Sequence, residues 1–286
     1  MDPRVIQLFD SYPHGGISRR AFLDRLATLA GSTAAAVALL PLIENNYAAA
    51  AQVASDDQRL AIDSVSYDTP VGKVSGYLAR FKEPRQQRPA VIIIHENRGP
   101  NPFVQDVARR LAVEGLLAYA VDLLSPEGGT PADADAARAM IAKLDRGVVI
   151  KRLVAAVPFL GFHRESNSKV GAVGFCWGGG MVNELAAASR DLKAGVAYYG
   201  DQIPGEKVGH IRARLLLHYA ELDPRINAGI VAYEAVLKTA GKPYRIHMYP
   251  GVHHAFANDT NPARYDKKAA DLAWNRTVAF LNEYLK

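Results

Sequence analysis

The chain of 286 residues contains one cysteine. An intramolecular disulfide is therefore impossible, and cysteine-rich zinc sites are excluded. Long apolar runs are also scarce. A polytopic membrane protein needs several stretches of about 20 apolar residues, and only one weakly apolar run exists, at the N-terminus. Clustered basic charge is missing: the formal net charge is +5, but no Lys/Arg block of the kind found in nucleic-acid tails occurs. A solvated basic surface accounts for that surplus, and no nucleic-acid partner is expected. The 23 glycines are too few for a collagen-like repeat. With 49% hydrophobic and 22% charged residues, the chain is not a disordered polymer. A chain of this length buries roughly 70–75% of its unfolded surface and needs no covalent staples.

The N-terminus reads as an address label. Ser18-Arg19-Arg20-Ala21-Phe22-Leu23 resembles a twin-arginine export signal. An Ala-rich run from Leu26 to Ile43 follows, then Ala48-Ala49-Ala50-Ala51, which offers small residues to a signal peptidase. Pro41 and the modest hydrophobicity argue against a stable membrane span in the mature form. The alternative is an ordinary amphipathic helix with two solvated arginines. The export reading makes residues 1–51 a signal and cleavage region, names the twin-arginine machinery as a partner, and places the mature chain in the periplasm or elsewhere outside the cytoplasm. The lone thiol would then sit in an oxidising compartment and would need shelter.

From residue 52 to 286, β-rich runs alternate with helical patterns, which predicts a single α/β domain. Leu60–Tyr67 and Lys73–Phe81 read as a leading hairpin through Thr69-Pro70-Val71-Gly72. Ala90-Val91-Ile92-Ile93-Ile94 is a continuous β-branched run, as expected of a strand covered on both faces. Further strands are expected at Leu116–Val121, Val170–Gly174, Ala194–Tyr199, Leu215–Tyr219 and Tyr244–Tyr249. Helices are expected at Phe103–Val113, Asp133–Leu144, Val148–Phe162, Gly178–Ser189, Ile226–Thr239 and from Pro262 to Tyr284. Leu272, Val278, Leu281 and Leu285 are the expected buried stripe of the last one. The architecture implied is a mostly parallel sheet with helices on both faces, whose chemistry gathers at the carboxyl ends of the strands.

Gly174-Phe175-Cys176-Trp177-Gly178-Gly179 lies between an expected strand and an expected helix. It is a G-x-nucleophile-x-G turn with cysteine in the nucleophile position. Such a turn is tight, and glycine two residues to either side removes side chains that would clash. The following helix aims its first N–H groups at the sulfur, favouring the thiolate and an oxyanion alike. A thiol nucleophile needs a base, and the base an orienting acid. Asp223 sits just past the expected strand Leu215–Tyr219, where that acid belongs. A helix N-cap is its alternative use, and Glu221 is its nearest competitor. After the last strand, His253 and His254 are adjacent, and the residues alone do not choose between them. Glu96 and Asn97 follow the apolar strand, on the same rim as Cys176. Glu96 could hydrogen-bond the thiol or serve as a local base; capping the next helix is its bland alternative. The backbone N–H groups of Asn97 and Trp177 are positioned to share an oxyanion.

The strings Ile92-Ile93-Ile94-His95-Glu96-Asn97-Arg98-Gly99 and Gly174-Phe175-Cys176-Trp177-Gly178-Gly179, with Asp223 and His254-Ala255-Phe256, together resemble the dienelactone hydrolase (carboxymethylenebutenolidase) family of α/β-hydrolases. The resemblance covers roughly residues 60–286. It implies an ester or lactone hydrolase with Cys176 as nucleophile, Asp223 as acid and His254 as base. It also implies a Glu96 that holds the resting thiol, and neither metal nor organic cofactor. Family members that open dienelactones hold the substrate carboxylate with arginines, one of them four residues beyond the histidine. That position is Asn258 here, and Arg98 is the nearest substitute. A general esterase, an acyltransferase, or a catalytically silent domain that binds a ligand are the competing readings.

Overall fold

The computed structural model describes residues 1–12, 17–47, 51–83 and 87–286. The chain runs through α1 (Pro3–Ser11), α2 (Arg19–Ala30) and α3 (Thr33–Ile43), then β1 (Leu60–Thr69), β2 (Gly72–Phe81) and β3 (Arg88–Ile94). Next come α4 (Pro102–Val113), β4 (Leu117–Asp122), α5 (Ala134–Lys143), α6 (Arg146–Gly161), β5 (Ser166–Phe175) and α7 (Trp177–Ala188). The remainder is β6 (Ala194–Tyr198), α8 (Gly205–Val208), β7 (Arg214–Leu222), α9 (Pro224–Asn227), α10 (Ile230–Thr239), β8 (Tyr244–His253) and α11 (Lys267–Leu285).

The strands form one sheet in the order β1-β2-β4-β3-β5-β6-β7-β8. The hairpin β1–β2 and the β2–β4 pair are antiparallel; every other pair is parallel. The apolar run of β3 shows why the sheet is covered on both faces. Ile92 and Ile94 join the core beneath α6, α7 and α10, whereas Val91 and Ile93 join the core beneath α4 and α11. All four are fully buried, and strand alternation requires that split. Strand order places β3 between β4, which follows it, and β5, which comes later. This is the topological switch point, where diverging connections leave a crevice at the carboxyl ends of the strands. Ile94 pairs with Gly174 there, so the loops carrying Glu96 and Cys176 emerge side by side.

Three details depart from the sequence reading. The last helix starts at Lys267, capped by the Asp266 side chain, and not at Pro262. Its buried stripe is Ala273, Thr277, Phe280, Leu281 and Leu285, while Leu272 is 43% exposed and Val278 half-buried. Aliphatic spacing misled because small Ala273 and Thr277 fit the close approach to the sheet, with Thr277 bonding Tyr198 at 2.6 Å. The helix expected at Ile226–Thr239 is also split, into α9 and α10.

Of residues 1–51, expected to be an export label, residues 1–12 and 17–47 are folded against the domain. α1, α2 and α3 close a small apolar cluster of Val5, Phe9, Phe22, Leu26 and Ile43, against which Ala263 packs. No single helix among the described residues is long and apolar enough to cross a membrane; α2 and α3 pass that test only together and meet at a bend of 109°. Residues 48–50 of the expected cleavage motif lie outside the described residues.

Candidate active site

Cys176 occupies the step between β5 and α7 with φ 55° and ψ −118°. Positive φ is costly for a residue with a Cβ, and such strain persists only where the surroundings impose it. The glycines show what imposes it. A Cβ on Gly174 would lie 2.2 Å from the Gly178 carbonyl oxygen, and one on Gly178 would lie 2.3 Å from that of Ile94. Bare backbone lets α7 press against β3 and turns the sulfur out toward the rim. Cys176 remains only 7% exposed, so its shelter is steric.

Asp223 follows β7, and its two carboxylate oxygens make different contacts. Its Oδ1 accepts the Ile226 N–H at 3.3 Å, capping α9, and its Oδ2 lies 2.6 Å from His254 Nδ1. Glu221 is excluded from that role: it is exposed and accepts the Gly251 N–H at 2.7 Å, bracing the loop that carries the histidines. Geometry also separates the two histidines. His254 is buried on Asp223, whereas His253 is half-buried and its Nδ1 has no hydrogen-bond partner. Cys176 is the other neighbour of the His254 ring: the two border the same small cavity, and Cys176 favours the charged ring. Burial disfavours the imidazolium, but the Cys176 charge and the bond to Asp223 outweigh it and raise the histidine to about 10. Burial likewise works against ionising Asp223, and the His254 hydrogen bond and charge overcome it, holding the carboxyl below its ordinary value. His254 thus lies between Cys176 and Asp223, in surroundings that favour its protonated ring.

Glu96 is buried and accepts the Asn258 amide at 2.8 Å. Burial pushes its carboxyl above the ordinary range, against the charges of Arg264, His254 and Arg98. Glu96, Asn97, Arg98, Cys176, His254 and Arg264 surround a small cavity of about 20 Å³. Asn97 and Trp177 also border a larger cavity of about 350 Å³ that reaches Cys176. Sequence reading missed Arg264, which is 8% exposed and carries a buried Nε without a partner. It missed Tyr199 as well, a fully buried ring 4.9 Å from the His254 ring. No local motif announces either one. Asn258 was noticed only as a lost arginine, yet it is the donor that holds Glu96.

Residues 74–285 match the model of the dienelactone hydrolase family. Protein Usf of Aquifex pyrophilus is 34% identical over 222 residues, covering 74% of this chain and 94% of its own. The chain belongs to the dienelactone hydrolase family. A "probable 2-oxo-3-(5-oxofuran-2-ylidene)propanoate lactonase" of Bradyrhizobium sp. is 30% identical over 242 residues, covering 80% of this chain and 96% of its own. The fold recurs in a dienelactone hydrolase-like promiscuous phosphotriesterase from metagenomic libraries, at TM-score 0.71 and 23% identity over 80% of this chain and all of that one. Residues 1–31 match a separate model described as YqhI-like. As a member of the dienelactone hydrolase family, the protein is a hydrolase acting on ester or lactone bonds, on an α/β-hydrolase fold.

Proposed function

We propose that the protein hydrolyses small esters or lactones by a Cys176–His254–Asp223 triad through an acyl-thioester. The observation that carries this reading is the continuous chain of contacts from Asp223 through His254 to Cys176. The Cys176 thiolate attacks the carbonyl carbon and forms a C–S bond. The Asn97 and Trp177 amides receive the developing oxyanion. The imidazolium of His254 gives its proton to the leaving alkoxide, and the neutral ring then takes a proton from water. The resulting hydroxide attacks the thioester, and the thiolate leaves with the acid released. Proton transfer of this type contributes about 10²–10⁴ in rate. Amides are poor substrates, because the thiolate is a better leaving group than an amine anion. Glu96 holds the resting site through its charge and its bond to Asn258. Arg98 and Arg264, which line the small cavity beside the sulfur, are the groups to meet an anionic substituent on the acyl part. A panel of lactones and p-nitrophenyl esters, followed by mass spectrometry of the trapped enzyme, tests the mechanism. An acyl adduct on Cys176 is expected, and full activity in Cys176→Ala would overturn it.

We further propose export by the twin-arginine route, on the motif Ser18–Leu23, with the N-terminal segment kept on the exported chain. In the folded chain Arg19 donates to Asp135 at 2.6 Å, while Arg20 is exposed. Recognition of the pair would take Arg19 out of its bond to Asp135. Replacing both arginines with lysine in a cell-fractionation assay should abolish export; unchanged export would refute the proposal.

A further inference from the structure

The cavity of about 350 Å³ above Cys176 has a wall that the catalytic domain does not supply. Its size lies within the range of small-ligand sites, about 300–1,000 Å³. Cys176 and Trp177 line its floor, and Ile141 of α5 lines one side. Tyr12, just after α1, Ile17, just before α2, and Arg19 of α2 line another side.

These N-terminal residues are fastened on both sides of the opening. On the α5 side, Asp135 accepts the Tyr12 hydroxyl at 2.7 Å and Arg19 at 2.6 Å, and the Arg138 guanidinium lies 4.0 Å over the Tyr12 ring. On the side of the loop after His254, Arg264 donates to Asp10 at 2.7 Å, and the Asn46 N–H donates to the Thr260 carbonyl at 2.6 Å. Asn261 is completely buried and donates to the Ile43 carbonyl at 2.6 Å and to the Asn45 side chain at 3.0 Å. Without that segment Arg264 and Asn261 would lose these acceptors and the Thr260 carbonyl its donor, and buried polar groups are ordinarily paired. The domain's loop is built to receive the segment.

We propose that the N-terminal segment, through residues 1–12 and 17–47, is a working wall of the active site, selecting substrates by the size of the group that fills the cavity above Cys176. Tyr12 and Ile17 set the limit, and Asp135 holds the wall in place. The inference rests on Cys176 being the reacting centre and deepens the hydrolase reading.

Because the chain has one cysteine, thiol labelling of the full chain reads the wall independently of catalysis. The probes are iodoacetamide, which is small, and N-(1-pyrenyl)maleimide, which is bulky. Tyr12→Ala should raise the pyrenyl-to-iodoacetamide rate ratio at least fivefold, and Ile17→Trp should lower it at least fivefold. Arg20→Ala, on the exposed side of α2, should leave the ratio unchanged. The kcat/KM ratio of p-nitrophenyl octanoate to acetate should move in the same two directions. Near-ultraviolet circular dichroism confirms that each variant is folded, and the opposite signs of the two changes keep either one informative alone. Ratios within twofold of the parent in both variants would overturn the wall. If the parent hydrolyses no ester, the hydrolase reading falls, while the labelling ratios still decide whether the wall exists.

Discussion

Substituting Gly178 with alanine tests the geometry of the nucleophile turn. A Cβ there would sit 2.3 Å from the Ile94 carbonyl oxygen and 2.5 Å from that of His95. Both oxygens belong to main chain at the end of β3, the central strand, and cannot swing aside as a flexible side chain could. Ordinary contact begins near 3.4 Å, so the start of α7 must retreat by about 1 Å. Overpacking of this kind costs about 1–3 kcal/mol, equivalent to a fall of several degrees in Tm. The retreat also carries the Trp177 amide and the sulfur with it. A misplacement of about 1 Å at reacting groups can lower rate by about 10²-fold. Gly209→Ala is the matched control: its φ is −55°, and a Cβ there meets nothing within 4 Å. The assay is kcat/KM for p-nitrophenyl acetate alongside a melting curve. Gly178→Ala should lose about 10²-fold in activity and several degrees, with Gly209→Ala like the parent. A Gly178→Ala enzyme within twofold in rate and one degree in Tm would refute the account of why these glycines are there.

Asp223→Asn should lower kcat by about 10²–10⁴ and return His254 toward its ordinary value, read by the histidine proton resonances; unchanged resonances would remove Asp223 from the site. Stability should depend on pH through His254. Its folded value is raised to about 10 from an ordinary 6.5, so its contribution is complete below about pH 6.5 and is lost as pH rises toward 10. The stability advantage of the parent over His254→Gln, measured by urea denaturation, should shrink across that window. Asn258→Ala removes the donor to Glu96 and should raise the carboxyl further, moving the acid limb of the pH–rate profile upward; an unmoved limb would show that Glu96 is not coupled to turnover.

Local pattern carried much of this molecule. The β-branched run of β3, Gly174 before Cys176 and the turn residues at Pro70-Val71 report short-range steric demands. Such demands act within a few residues and are written where they act. The aliphatic stripe of α11 failed for the converse reason. What a helix buries depends on how closely the sheet approaches, and Ala273 and Thr277 were chosen for closeness, not for hydrophobicity.

Chain order alone left open which histidine faces Asp223, whether Glu221 competes, what holds Glu96, and where residues 1–47 lie. Each answer joins groups far apart along the backbone: His254 with Asp223, Glu96 with Asn258, Tyr12 with Asp135. Composition and spacing decided the α/β architecture and the nucleophile turn, because those follow from contacts between near neighbours. Packing decided the partners of the charges and the enclosure over the sulfur, because distance in space is set by the whole sheet and not by position in the chain.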